Sequence, residues 1–427
     1  MPHRFHLPRA LSLRHALVAA CLLLPAGWIQ AAPPVAAPVV LPSLEQVLDA
    51  EKLREMDAEI RQAVADGRLV GAVLWVERLG RAHQVAVGHR ALQPQPEPMT
   101  QDTLFDLASI TKVVATAAAA MLGVQRGVMA LDDPVSRYLP SFSGEGREQV
   151  TIRHLLLHSS GLQATLNGTR PPLSRSPSQA LELACRETLR SKPGSAFAYS
   201  SVGSMLLAMA IEKAVAKPFE VFCREEIFQP LGMSDTCFRP GAALLPRVAP
   251  SSAPARGLVD DHIAREMGGV AGHASLFSTT ADLARFARMM LAGGSLEGRQ
   301  LFTPATVALM TSVQTPPNLR SPDAGNLPVK RGLGWDIHTP YRMPPHDYSL
   351  ARGALFPIGS YGHTGWTGQM LWIDPHSKTF VIFLCNRYGP QGRDSRAEVY
   401  QLHHRLSTLA AQAVRGVDFS ALKSLQP

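Results

Sequence analysis

The sequence has no Gly-X-Y period and no sustained heptad, which excludes collagen-like and coiled-coil architectures; it has no internal repeat either. Charged residues are scarce, 18% of 427 positions against 46% hydrophobic, and a chain with that much to bury is not a disordered one. Long Lys/Arg runs are absent. The formal net charge is +8, but Arg4, Arg9 and Arg14 stand in the leading segment and the other basic residues are scattered among acids, so no nucleic-acid partner is expected. Cysteine is sparse as well. Past the leading segment only Cys185, Cys223, Cys237 and Cys385 remain; they allow three complete pairings, left open here, and a chain this long needs no disulfide framework. Cys223 and Cys385 lie among apolar neighbours and read as buried thiols.

One hydrophobic run does stand out. The basic stretch MPHRFHLPRALSLRH is followed by the apolar ALVAACLLLPAGWI and then by small residues at Ala31-Ala32. This order predicts a signal peptide over residues 1–31. The apolar run is about 14 residues, short of the ~20 needed to span a bilayer. A periplasmic or secreted location is therefore expected. Attachment to the inner membrane through an uncleaved leader is the alternative, because Ile29 or Gln30 makes a mediocre residue ahead of the cleavage point. Cys21 is not read as a lipidation site, since the apolar stretch continues past it.

A Pro/Ala-rich linker, 32–43, leads into a domain expected over 44–415, with a short tail at 416–427. Apolar spacing predicts a helix over 44–65, then two strands, VGAVLWVER and HQVAVGHR, around Leu79-Gly80. The Ala-rich 107–121 favours helix, as do 151–158, 177–190, 201–216 and 280–292. The strands QMLWID and TFVIFLCN flank Pro375-His376-Ser377-Lys378 as a hairpin, and a last helix is expected over 395–414. Strands at both ends with helices between them suggest an α/β (α+β) fold: an antiparallel sheet built from the two chain ends and flanked by helices, with an inserted helical lobe over about 120–300. A cleft between the two is where a site is expected.

Three segments could carry chemistry. In Asp106-Leu107-Ala108-Ser109-Ile110-Thr111-Lys112, Ser109 and Lys112 are three apart at a helix start and project from one face. A serine hydroxyl becomes nucleophilic when a neighbour removes its proton, which a lysine can do. The helix N-terminus adds backbone N–H groups suited to an oxyanion. In Phe197-Ala198-Tyr199-Ser200-Ser201, Tyr199 could move a proton and Ser201 donate a hydrogen bond; a core tyrosine and a serine helix cap is the plainer reading. In Gly362-His363-Thr364-Gly365-Trp366, Thr364 and Gly365 let a substrate backbone approach a strand, and His363 offers a group titrating near neutrality.

In this order and on these elements, the three segments resemble class C β-lactamase-like and penicillin-binding serine hydrolases. The resemblance runs from about residue 45 to 410 and includes LDDPVSRYLP, TIRHLLLHSSGL, QPLGMSDTCF and GLGWD. The segment from Gly257 to Phe286, with YGHTGWTGQ, is similar to a narrower periplasmic branch of D-alanyl-D-alanine carboxypeptidases. The resemblance implies a β-lactamase/transpeptidase-like fold. It also implies Ser109 as acylated nucleophile, Lys112 as its proton acceptor, Tyr199 as general base and acid, and the Ser109 and Trp366 amides as oxyanion hole. Ser201, His363, Thr364 and Gly365 would face the substrate. No cofactor and no metal are implied.

Departures from the pattern bear on the substrate. Ser201 stands where the family has Asn, and His363 stands where it has Lys, so a permanent cation is replaced by a ring mostly neutral above about pH 6.5. Val259-Asp260-Asp261 stands where the narrower branch has Val-His-Asp. The expected function is hydrolysis of cell-wall peptide or amide bonds, as a D-alanyl-D-alanine carboxypeptidase acting on a peptidoglycan-derived peptide. A carboxylesterase or β-lactamase of the same fold is the alternative, as is a non-catalytic muropeptide-binding protein. His154 and His158, four apart, read as helix packing because no third ligand is near. His273 is a candidate for the cleft wall, and His403-His404 are expected at the surface.

Overall fold

A computed structural model describes residues 41–166, 176–252, 255–340, 351–388 and 395–423, with the backbone alone at 342–343, 346–347 and 423. The expected signal peptide and nearly all of the expected linker lie outside these residues. From Leu41 onward the chain is one compact unit.

The main sheet has eight antiparallel strands. They are β1 (Gly71–Arg78), β2 (Arg81–Ala91), β3 (Glu97–Pro98), β4 (Lys330–Arg331), β5 (Asp336–His338), β6 (Tyr361–Thr364), β7 (Met370–Asp374) and β8 (Thr379–Asn386), in the spatial order β4-β5-β6-β7-β8-β1-β2-β3. The two chain ends meet at its centre, where β1 pairs with β8 from Gly71 opposite Asn386 to Arg78 opposite Thr379. Strands β4 and β5, not expected from the sequence, extend the sheet at one edge.

The central strands read as unbroken hydrophobic runs because both faces of the sheet are covered. Side chains alternate between faces: Phe380, Ile382 and Leu384 of β8 enter the core beneath the helical region, while Val381, Phe383 and Cys385 enter the core on the other face. That second core is closed by α1 (Ala50–Ala65), through Leu53, Met56 and Ile60, and by the helix Arg396–Ala413, through Val399, Leu402, Leu406 and Leu409. The helix expected over 44–65 is broken: Leu44–Val47 forms one turn, and Asp49 restarts the helix by accepting the Glu51 and Lys52 amides.

The helical region contains α2 (Ala118–Gln125), α3 (Ser201–Val215) and α4 (Thr280–Leu291); the long helix near the end of the chain, Arg396–Ala413, is α5. Residues 108–125 are long and apolar enough to cross a membrane by length and composition, but here they run through the protein interior. α4 packs on β1, β7 and β8, and its Phe286 stacks on Trp335. Within the expected tail, Phe419–Lys423 is helical and Phe419 packs edge-on against Phe356. Cys185, Cys223 and Cys385 are buried free thiols, and Cys237 is a half-buried one.

Candidate active site

Ser109 sits at a tight turn held from three sides. The short strand Phe105–Asp106 pairs with Phe277–Ser278, the Leu107 amide donates to the Leu276 carbonyl, and the Leu276 amide donates to the Thr111 hydroxyl. Ala108 is forced into the left-handed region (φ 44°), unusual for a residue with a Cβ. A single 3₁₀ turn (Ala108–Ile110) and a widened π-type turn (Lys112–Ala117) then lead into α2, so the helix expected over 107–121 is irregular where the chemistry would lie.

Lys112 is 4% exposed and donates to Ser109 Oγ at 3.0 Å and to the His273 carbonyl at 2.7 Å. These two bonds aim the amine at the serine. His273 thus acts through its backbone; its ring does not line the cavity, and its Nε2 meets the Asp261 carboxylate at 3.1 Å.

Tyr199 precedes α3, whose cap is Ser200: its hydroxyl accepts the Gly203 amide and donates to the Gln163 carbonyl. The Tyr199 ring lies 5.0 Å from Lys112 Nζ and 4.5 Å from the His158 ring, centroid to centroid. His158 Nδ1 accepts the Ser200 amide. Burial, with Arg331, Lys112 and His363 nearby, holds His158 well below its ordinary pKa, so it is a neutral wall behind Tyr199. His154 is used locally, its Nδ1 accepting the Thr151 amide. Among the described residues no group of three or more His, Cys, Asp or Glu is placed to hold a metal ion.

Ser109, Tyr199, His363, Thr364 and Trp366 line one cavity of about 190 Å³, together with Arg331, Asp336, Ala351, Arg396 and Tyr400. Ser201 is not among its lining residues: it opens α3, its amide donating to the Ala164 carbonyl. Gly365 acts by closeness instead. A Cβ there would meet the Leu107 carbonyl at 2.5 Å, so only glycine lets the third segment lie against the nucleophile turn.

His363 differs most from expectation. Burial first, then the neighbouring Arg331 and Lys112, push it down to about 3. Its Nδ1 lies 2.7 Å from the Thr364 carbonyl; a carbonyl only accepts, so Nδ1 carries the proton and Nε2 presents a lone pair. The cavity's cations are Arg331 and Arg396. Arg331 is fully buried, donating to the Thr339 hydroxyl and the Gly334 carbonyl. Arg396 lies 4.1 Å over the Trp366 ring. Tyr400, pushed up to about 12 chiefly by burial, completes the wall.

His403 also differs from expectation: it is buried, with Nε2 2.9 Å from the Gly368 carbonyl, because α5 turns that face onto the sheet. Arg331, Asp336 and Tyr400 have no local signal; GLGWD is recognisable in sequence, but only as a resemblance.

A family model described as Beta-lactamase matches residues 56–405. A curated protein of Escherichia coli (strain K12), named "Putative D-alanyl-D-alanine carboxypeptidase", is 31% identical over 376 residues, covering 79% of this chain and 82% of the relative. In fold the chain is similar to a penicillin-binding protein homolog from Caulobacter crescentus (TM-score 0.68, 22% identity, 85% of this chain and 98% of that one). It is likewise similar to a class C β-lactamase (TM-score 0.65, 18% identity, 86% and 98%).

Proposed function

The chain belongs to the β-lactamase family of serine hydrolases, and on that premise we propose that it is a periplasmic D-alanyl-D-alanine carboxypeptidase acting on cell-wall peptides. The 3.0 Å contact between Lys112 Nζ and Ser109 Oγ, opening onto a cavity that Tyr199 also lines, carries this reading. The leading segment supports export, and the name of the relative supports the substrate.

Lys112 takes the Ser109 proton as Oγ adds to the carbonyl carbon of the penultimate D-alanine. The resulting oxyanion is received by the Ser109 and Trp366 amides. Tyr199 hands a proton to the departing D-alanine nitrogen, leaving the peptide as an ester on Ser109. Water, deprotonated through Tyr199, then cleaves that ester and restores the serine. His363 supplies no cation to the leaving carboxylate; Arg331 and Arg396 are the positive groups on the cavity wall. D-alanine release from a muramoyl pentapeptide tests this. The expected result is release by the wild type and none by folded Ser109→Ala; equal release by both refutes it.

The neutral His363 also favours a second reading, a carboxylesterase with an uncharged acyl substrate. Covalent labelling of Ser109 with no D-alanine release would select it.

A further inference from the structure

We propose that Asp106 is a positioning residue that fixes the spacing between the two amides of the oxyanion hole. The proposal rests on Ser109 and Trp366 forming that hole, as above. Asp106 is bonded through both its side chain and its backbone, each to a different half of the site. Its carboxylate accepts the Ala108 amide at 2.9 Å and the Asp260 amide at 2.6 Å. The first bond holds the left-handed residue immediately before Ser109. Its carbonyl accepts the Thr367 hydroxyl at 2.8 Å and Gln369 Nε2 at 3.2 Å, which holds the turn immediately after Trp366.

A longer path closes the same ring. The Asp260 carboxylate accepts the Tyr388 hydroxyl at 2.8 Å, Arg387 donates to that hydroxyl at 3.1 Å, and Arg387 Nε donates to the Trp366 carbonyl at 2.6 Å. Asp260 lies in the segment that departs from the narrower family branch, and along this path it carries the tie from Asp106 round to Trp366. Burial pushes the Asp106 carboxyl up to about 7 against the pull of its two N–H donors, with Asp260 and Asp261 adding to the rise. An acid held in so unfavourable a place fits a residue selected for its hydrogen bonds.

Oxyanion donors work only when aimed at the developing charge, so loosening their spacing slows the chemical step without weakening ground-state binding. The test is saturable labelling of Ser109 by a fluorophosphonate, whose attack also builds charge on oxygen, with folding followed by thermal melting. Asp106→Asn keeps one acceptor but turns an NH2 toward an N–H. Its maximal labelling rate should fall about tenfold, with half-saturating concentration within about twofold. Thr367→Val removes only the hydroxyl and should fall several-fold in the same way. The double variant should lose less than the product of the two, because both loosen one clamp. Two results overturn the proposal: full labelling rate per folded molecule in Thr367→Val, or losses that multiply independently. Should Asp106→Asn fail to fold, Thr367→Val alone decides. Absence of labelling in the wild type, or labelling that survives Ser109→Ala, removes the nucleophile assignment and the clamp with it; a normal Ser109 dependence with an unaffected Thr367→Val removes the clamp alone.

Discussion

His363 is expected to stay neutral throughout the working range, and its replacement tests the electrostatics of the whole site. The drop from 6.5 to about 3 amounts to ~5 kcal/mol against the imidazolium, at ~1.4 kcal/mol per pH unit. At pH 7 about one ring in ten thousand is then charged. Burial is the first cause, and Arg331 and Lys112 add to it. The kcat/KM profile on a carboxylate-bearing peptide should therefore show no ionisation from position 363 between pH 5 and 8, and His363→Gln should leave its shape unchanged. Stability gives an independent check. The folded pKa lies below the unfolded one, so the unfolded chain binds the extra proton between about pH 3 and 6.5. The contribution of the neutral ring is complete above pH 6.5 and is lost as pH falls, at up to ~1.4 kcal/mol per pH unit. The wild type should lose its advantage over His363→Gln on acidification from pH 6.5 to 4. A wild-type activity step near pH 6.5 that disappears in His363→Gln would refute the reasoning, since it would mean a solvated, ordinary imidazole.

Two further expectations concern packing. Gln369, 2% exposed, bridges β8 to the nucleophile turn by accepting the Cys385 amide at 2.8 Å and donating to the Cys385 and Asp106 carbonyls. Gln369→Leu strands the Cys385 N–H and C=O, while the Asp106 carbonyl keeps the Thr367 hydroxyl, and should cost about 2–4 kcal/mol in denaturant unfolding; a loss under about 0.5 would mean water replaces the amide. Phe286→Ala, beneath the sheet and stacked on Trp335, should cost about 3–5 kcal/mol by the same measurement. A much smaller loss would show that α4 collapses onto β1, β7 and β8.

Much of the frame was legible because it is written in local pattern. The apolar runs of β1 and β8 mark strands, and the Ser109-to-Lys112 spacing marks a helix start, whatever lies elsewhere in the chain. β4 and β5 were not legible: strands of two and three residues are too short to show a period, and only the neighbouring β6 makes them part of a sheet. Ser201 takes its expected place only from its match to a motif; the chain turns into α3 at that position, where its amide donates to the Ala164 carbonyl. His403 was assigned to the surface because a pair of histidines on a polar-looking helix gives no sign of which face meets the sheet.

The strands at the two chain ends, the family resemblance and the order of the three reactive segments are written in the chain itself, because each depends on residues a few positions apart. Tertiary structure alone decided the chemistry around them. The carbonyl that holds Lys112 belongs to a residue 161 positions away, and the carbonyl of Asp106 meets a hydroxyl 261 positions away. The charge state of His363 depends on burial and on two basic side chains brought in by folding, Arg331 and Lys112. Hydrogen-bond direction and pKa are set by what surrounds a group in space, and a linear pattern carries neither.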